Sequence, residues 1–341
     1  MAQSIKKLSF FSNGLIFLLT FPIFFYSCKG CKKTEDNTKK TTEKQWATNL
    51  PSFNADTAYF FVQKQTNFGP RVTGSKASTQ CAEMLVKTLK RFAPQVSVQT
   101  GKVRTFDGKD LNINNIIASF NPDKKARIFL SSHWDSRPFA DYDPDAANHH
   151  KPIIGANDGA SGVGVLVEIA RILSQKLPEI GVDIILFDAE DYGAPEWEKN
   201  QSEDTWCLGS QFWAKNPHVV GYSARYGILL DMVGAADARF TFEGTSMYYA
   251  SDVMKRIWET ASHAGFGAYF VPEETGALTD DHLYINQIIQ IPTIDIIHRT
   301  NDTESGFFPY WHTQKDDISC IDKTTLKAVG QTLLTVIYNE N

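Results

Sequence analysis

The 341-residue sequence has few cysteines, and its folded region lacks any arranged as a thiolate metal site. Cys28 and Cys31 lie in a polar N-terminal segment, which leaves Cys81, Cys207 and Cys320 for the rest of the chain. Three cysteines cannot all pair within one molecule, and no CxxC spacing occurs among them. One disulfide is compatible with this count, and buried free cysteine is the default expectation. A metal site in the folded region is therefore expected to use histidine and carboxylate ligands.

An excess of basic charge is also absent. Lysine and arginine together number 34 against 39 aspartates and glutamates, which gives a formal net charge of -5. Without a basic stripe the chain is not expected to bind nucleic acid. Its hydrophobic content of 42% is enough to bury one large core, so we expect one folded domain.

The apolar run near the start of the chain is too short to span a bilayer. It extends from Leu15 to Tyr26 after two lysines, and Ser27-Cys28 follows at once. This arrangement resembles a bacterial lipoprotein signal, in which Cys28 becomes the lipidated first residue. Ordinary cleaved secretion and a retained anchor are the alternatives. We predict a signal peptide over residues 1–27 and a place in the bacterial cell envelope, facing the periplasm or the exterior, with lipid on Cys28 as the only membrane contact.

The next segment is polar and rich in lysine and threonine. Residues 28–45 have almost nothing apolar to bury and are predicted to be a flexible tether. The folded domain is predicted to span residues 46–341. Within it, the long polar loop 138–154 is typical of a functional loop or lid.

Helical and strand patterns alternate along the domain. Helices are predicted over residues 54–68, 75–92, 159–177, 209–215, 251–264 and 323–338. Strands are predicted over residues 96–106, 113–120, 128–131, 182–187, 226–232, 240–242 and 288–297. Such alternation predicts an α/β fold with one central mixed, mostly parallel sheet and helices on both faces.

Acidic and imidazole side chains follow several of the predicted strands. His133 and Asp135 follow one strand, Glu190 and Asp191 another, and Asp231 a third. Ligands of open α/β sheets bind beyond the carboxyl ends of the strands, so these side chains are expected to converge on one edge. Histidine and carboxylate without thiolate suit Zn²⁺ in an open catalytic site.

Two further residues complete a candidate ligand set. Asp158 precedes a predicted helix, where an aspartate can also be a simple N-cap, and His312 lies in an aromatic loop. The adjacent carboxylates Glu190 and Asp191 would repel each other unless a cation or a shared proton compensated them. One can bind metal while the other serves as general acid and base. His133 and Asp135 could bind a second metal or orient the ligands of the first.

Six sequence motifs, occurring in one order along the chain, indicate a specific family. They are His133-Trp-Asp-Ser, Gly155-Ala-Asn-Asp-Gly-Ala-Ser-Gly, Phe187-Asp-Ala-Glu-Asp, Leu230-Asp-Met-Val-Gly, Asp280-Asp-His and Trp311-His-Thr. This set resembles the glutaminyl-peptide cyclotransferases and their relatives, the zinc aminopeptidases. The resemblance covers nearly all the chain after about residue 50, and it implies the zinc aminopeptidase-like fold.

The cyclase form of the resemblance implies one zinc ion bound by Asp158, Asp191 and His312. It implies that Glu190 shuttles a proton. Asp231 and Asp280 are implied to complete the acidic network around the substrate amine, and Trp311 and Trp197 to line the pocket. The chain differs from the animal enzymes in having aspartate at 191 where they usually have glutamate. The implied activity is cyclisation of the N-terminal glutamine of peptides and proteins to pyroglutamate with release of ammonia, by a protein expected to be a monomer.

Two other functions stay open on the residues alone. In the aminopeptidase alternative, one zinc is held by His133, Asp158 and Asp231 and a second by Asp158, Asp191 and His312, and Glu190 activates a bridging water. Every ligand of that pattern is present. The cyclase is favoured because Trp311 precedes the last ligand and because the segment from Asp280 has the cyclase form. The second alternative is a lipoprotein without catalytic activity that only binds a partner. It would give the cluster of acidic residues no function.

Overall fold

A computed structural model describes residues 46–199 and 203–341, which form one compact unit from Trp46 onward. The predicted signal peptide and tether lie outside the described residues. In the described ranges, no helix combines the length and apolar character needed to cross a membrane. The helices are α1 (Ala55–Thr66), α2 (Lys76–Leu89), α3 (Ala160–Gln175), α4 (Leu208–Lys215), α5 (Gly244–His263), α6 (Asp281–Ile288) and α7 (Lys323–Asn339). The strands are β1 (Gln95–Arg104), β2 (Asp110–Phe120), β3 (Arg127–His133), β4 (Gly181–Phe187), β5 (Gly227–Asp231), β6 (Phe240–Glu243), β7 (Phe270–Thr275) and β8 (Thr293–Ile297).

The main sheet has six strands in the order β1-β2-β4-β3-β5-β8. β4, β3, β5 and β8 are parallel, whereas β1 and β2 form an antiparallel hairpin that joins β4 antiparallel. Continuous apolar runs such as that of β4 are typical of strands covered on both faces. The predicted mixed, mostly parallel α/β fold is confirmed.

Side-chain alternation along the strands divides the core between the two faces. Ile116 and Ile184 pack into the larger cluster, with residues from α1, α2, α3, α5 and α7. Ile117 and Ile185 point the other way and pack with Trp213 of α4 and neighbouring apolar residues of α6. Because successive side chains of a strand point to opposite faces, one β-branched run supplies both cores.

The prediction of one sheet is incomplete, since β6 and β7 form a separate two-stranded parallel sheet. The sequence pattern does not predict β7, because most of its Phe-Val-Pro-Glu-Glu-Thr segment is exposed or half-buried and lacks the apolar alternation of a strand. The predicted strand 288–297 is also too long. The chain ends α6 at Ile288 and turns at Gln290, which has φ of 59° before Pro292, so β8 begins only at Thr293.

Helix α5 begins seven residues before its predicted start, at Gly244 instead of residue 251. Glu243 caps it by accepting hydrogen bonds from the backbone N–H groups of Thr245 and Ser246. A kink at Ala250, where φ is -145°, separates this first part from the amphipathic stretch that the sequence pattern identifies. Cys81, Cys207 and Cys320 are all free.

Candidate metal centre

Parallel strand order places the predicted acidic and imidazole groups at one edge of the sheet. β3 ends at His133 and β5 at Asp231, and the segment with Glu190 and Asp191 follows the end of β4. Asp158 lies just before α3, which packs on β3 and β5. The carboxyl ends of β3, β4 and β5 therefore share one crevice, as the sequence predicts.

Asp158, Asp191 and His312 form the first donor set. His312 Nε2 lies 3.3 Å from Asp191 Oδ1 and 3.6 Å from Asp158 Oδ2, and the three donor atoms lie within 4.8 Å of one another. All three side chains are buried, and Asp191 Oδ2 has no hydrogen-bond partner. Two buried carboxylates facing one imidazole, with a free oxygen among them, fit the three-ligand set of a catalytic zinc site.

A second donor set shares Asp158. His133 Nε2 lies 3.1 Å from Asp158 Oδ1 and 3.2 Å from Asp231 Oδ1. Burial raises the pKa of Asp231 to about 7, although the His133 hydrogen bond opposes this shift. For Asp158, burial is outweighed by His133, whose hydrogen bond and charge leave the pKa of the carboxyl below its usual value. The structure therefore brings together both donor sets: the one that the cyclase resemblance implies and the second one that the aminopeptidase alternative adds.

Asp135 lies outside both donor sets and holds the segment after β4 in place. Its Oδ1 accepts a hydrogen bond from the Glu190 N–H at 3.1 Å, and its Oδ2 accepts one from the Asp191 N–H at 3.2 Å. Asp135 Oδ1 is also 3.4 Å from His133 Nδ1. Of its two predicted roles, these contacts favour orientation of the donor residues.

Gly159 permits the close approach of Asp158 to this region. It has φ of +91°, and a Cβ there would lie 2.7 Å from the Asp135 carbonyl oxygen and 2.9 Å from His133 Cε1. The backbone N–H of Asp158 donates to Asp316 Oδ2 at 3.0 Å. A side chain at residue 159 would therefore displace a candidate ligand.

Arg137 and Asp141 support the first donor set and are not identified by the sequence patterns. The Arg137 guanidinium binds the Asp141 carboxylate through two contacts of 2.7 and 2.5 Å and donates to the Asp191 carbonyl at 3.1 Å. Asp141 Oδ1 lies 3.4 Å from His312 Nδ1, so one carboxylate orients both the arginine and a candidate ligand. Asp141 lies in the polar loop 138–154, whose length is the only signal of function in this part of the sequence.

Glu190 faces the cleft beside these donors. Burial raises its pKa well above its ordinary value, the nearby His133 charge lowers it, and Asp191 and Asp280 raise it further. Asp280 caps α6, lines the same cleft and has its Oδ2 without a hydrogen-bond partner. The pKa of Asp280 is also raised, chiefly by burial. A carboxyl group whose pKa is raised in this way is suited to act as a general acid and base.

Aromatic side chains form the wall of the cleft, whose volume is about 200 Å³. Trp311 lines it as predicted, with its ring 3.7 Å from that of His312. The structure does not place Trp197 among the lining residues: it packs against Phe139 and is 41% exposed. Trp206 instead lines the cleft beside Trp311. Its ring lies parallel to that of His312, with ring centroids 6.3 Å apart. The loop before Trp206 has no periodic pattern that could have distinguished the two tryptophans.

Comparison with known proteins identifies relatives of this arrangement. Residues 115–337 match peptidase family M28. A glutaminyl-peptide cyclotransferase of Drosophila melanogaster is 26% identical over 280 residues, which cover 75% of this chain and 73% of the relative. The crystal structure of Bacteroides thetaiotaomicron glutaminyl cyclase bound to N-acetylhistamine is 53% identical with a TM-score of 0.84, covering 86% of this chain and 100% of that one. Tannerella forsythia glutaminyl cyclase is 52% identical, also with a TM-score of 0.84, over 85% and 100% of the two chains.

Proposed function

The chain belongs to peptidase family M28, and we propose that within it the chain is a zinc-dependent glutaminyl cyclase. It converts the N-terminal glutamine of peptides and proteins to pyroglutamate and releases ammonia. One structural observation carries the mechanism: Glu190 faces an aromatic-walled cleft directly beside the donor set of Asp158, Asp191 and His312. The relatives named above, two of them about half identical to this chain, support the choice of reaction.

The donor set is proposed to hold one zinc ion. Asp158, Asp191 and His312 supply two carboxylate oxygens and one imidazole nitrogen and leave a position for substrate. Bound zinc would act as a Lewis acid that polarises the γ-carbonyl of the substrate glutamine. Arg137 and Asp141 fix the orientation of two of the three ligands through the contacts described above.

Glu190 is proposed to transfer the proton. The α-amine nitrogen attacks the γ-carbonyl carbon of the same residue, a new C–N bond closes the five-membered lactam, and the bond to the side-chain nitrogen breaks. The Glu190 carboxylate takes a proton from the attacking amine and gives it to the leaving nitrogen, which departs as ammonia. No water is consumed. A carboxyl group whose pKa is raised by burial suits both halves of this transfer.

Asp231 and Asp280 are proposed to orient the substrate amine, since both line the cleft around Glu190. Trp206 and Trp311 then enclose the folded-back glutamine and exclude water. Holding the amine and the γ-carbonyl in contact itself contributes greatly to the reaction rate, because a well-oriented intramolecular reaction avoids the entropy cost of an encounter. Exclusion of water matters because water is the competing nucleophile.

The two-zinc aminopeptidase is the weaker alternative. It is favoured by one observation, the second donor set of His133, Asp158 and Asp231. In the proposed cyclase, His133 instead contacts both Asp158 and Asp231, so that His133 supports the first donor set and Asp231 the substrate amine.

The reaction is tested by incubating the zinc-loaded domain with three peptides that differ only in their first residue: glutamine, asparagine or leucine. The glutamine peptide should release one ammonia for each molecule converted. The asparagine peptide should be inert, since its side chain is one methylene shorter and would have to close a four-membered ring. Release of free leucine would favour the aminopeptidase.

We also propose that the enzyme is a monomer attached to the cell envelope through lipid on Cys28. The sequence around Ser27-Cys28 supports the anchor. Full-length protein expressed in a bacterium should fractionate with membranes and carry acyl chains, and a Cys28→Ser variant should lose both properties. Light scattering of the domain without its first 45 residues tests the monomer.

A further inference from the structure

We propose that Cys207 is a positioning residue, whose thiol fixes the carboxylate of Glu190 in the orientation needed for proton transfer. This inference rests on the proposed function. Cys207 lies two residues beyond the end of a short helical turn and one residue before α4, and it is not among the residues that line the cleft. It would act through Glu190 and would not touch the substrate.

The thiol is placed to donate one hydrogen bond. Cys207 Sγ lies 3.1 Å from Glu190 Oε1, and the Cys207 side chain is fully buried. Burial raises the pKa of this thiol well above its usual value, and the negative charge of Glu190 raises it further. The sulfur therefore keeps its proton and serves as a donor to the carboxylate, not as a nucleophile.

The backbone binds the same two residues together. The Cys207 N–H donates to the Glu190 carbonyl at 2.9 Å, and the Leu208 N–H donates to the Ala189 carbonyl at 3.0 Å. Cys207 and Ala189 both have left-handed conformations, with φ of 55° and 53°. This conformation is unfavourable for a residue that has a Cβ. These two hydrogen bonds join the segment of Cys207 and Leu208 to that of Ala189 and Glu190, and they keep the thiol at a fixed distance from the carboxylate.

The neighbourhood shows why Glu190 needs a donor. Asp280 lies so close that donor atoms of Glu190, Cys207 and Asp280 are within 4.8 Å of one another. Two carboxyl groups at that separation repel each other when both are charged. The thiol binds one oxygen of Glu190 and leaves the other to exchange a proton with substrate. A displacement of even 1 Å at such a group is costly to the rate.

The test measures kcat and KM for a glutamine peptide in the wild type and in Cys207→Ala, Cys207→Gly and Cys207→Ser. The alanine and glycine variants should lower kcat roughly tenfold, as expected for loss of a hydrogen bond to a charged group, with KM within about twofold of wild type. Glycine tolerates the left-handed conformation, so this variant shows the effect of losing the thiol without any effect of backbone strain. The serine variant should recover most of kcat because its hydroxyl can donate in place of the thiol.

The matched control is Cys81→Ala, which removes another buried thiol that does not line the cleft and should leave kcat unchanged. Zinc content and melting temperature are measured for every variant. In a Glu190→Gln background, Cys207→Ala should cause no further loss, because the two residues act as one unit.

Two outcomes would overturn the inference while the proposed function stands: wild-type kcat in the glycine variant, or a serine variant as slow as the alanine variant. A wild-type protein that binds zinc but releases no ammonia from the glutamine peptide would instead overturn the proposed function.

Discussion

His133 Nε2 lies 3.2 Å from Asp231 Oδ1, in direct contact across the ends of two neighbouring parallel strands. In a two-metal peptidase this pair would be bridged by an ion, whereas in the proposed cyclase it is a hydrogen-bonded support for Asp158 and the substrate amine. The contact is therefore the point at which the two functions make different demands on the same residues.

The number of zinc ions bound per chain distinguishes the cyclase from the two-metal peptidase. We expect about one tightly bound zinc per chain by elemental analysis after dialysis. Removal of zinc with a chelator should abolish turnover, and one equivalent should restore it. His133→Gln should keep this one zinc, since its donors are Asp158, Asp191 and His312. Two zinc ions per wild-type chain, with one lost in His133→Gln, would contradict the one-metal account.

Glu190→Gln tests the proton transfer. The amide nearly preserves the shape of the side chain but cannot accept the amine proton, so kcat should fall by about 100-fold or more. Zinc content should stay at the wild-type level because Glu190 is not in the donor set. Turnover close to wild type would remove Glu190 from the mechanism.

Trp206 and Trp197 should differ sharply when each is replaced by leucine. Trp206→Leu opens the cleft wall and should raise KM roughly tenfold, whereas Trp197→Leu, outside the cleft, should change KM by less than about twofold. Gly193→Ala should resemble Trp206→Leu, since an added Cβ would meet the Trp206 ring at 1.9 Å. Equal effects of the two leucine variants in steady-state kinetics would contradict this assignment of the wall.

Stability should depend on pH through His298. Burial lowers its pKa from 6.5 to about 4, and Arg239 lowers it further in the same direction. The unfolded chain takes up this proton below pH 6.5 while the folded chain does not, so the stability present above pH 6.5 is lost as pH falls toward 4. Between pH 7 and pH 5 the wild type should lose about 1 to 2 kcal/mol more than His298→Gln in urea unfolding. Equal losses in both proteins would contradict a neutral buried imidazole.

His133, Asp191 and Asp231 could be predicted because each closes or follows a strand that the apolar pattern identifies, whereas Asp158 and His312 lie outside strands and are indicated only by their motifs. Once β3, β4 and β5 are parallel, His133, Asp191 and Asp231 must meet at one edge, whatever the details of the loops. The larger errors in the fold have local causes. β7 is too polar for a strand pattern, and the apolar run before β8 contains the turn at Gln290 that no periodicity reveals.

The supporting residues could not be predicted in the same way. Arg137 and Asp141 pair through the geometry of a loop, and of the two tryptophans after Asp191 it is Trp206 that lines the cleft. Cys207 contacts Glu190 where Ala189 and Cys207 both adopt left-handed conformations, which no sequence pattern indicates. Sequence spacing carries no information about these tertiary contacts, which decide the shape of the cleft.

The most direct test of the central claim asks which nucleophile attacks. The zinc-loaded protein is incubated with a glutamine-initiated peptide in water labelled with heavy oxygen, and the products are analysed by mass spectrometry. Attack by the substrate's own amine predicts a pyroglutamyl peptide without heavy oxygen and one ammonia per peptide. Free glutamine carrying heavy oxygen, together with a peptide shortened by one residue, would contradict the account and identify water as the nucleophile.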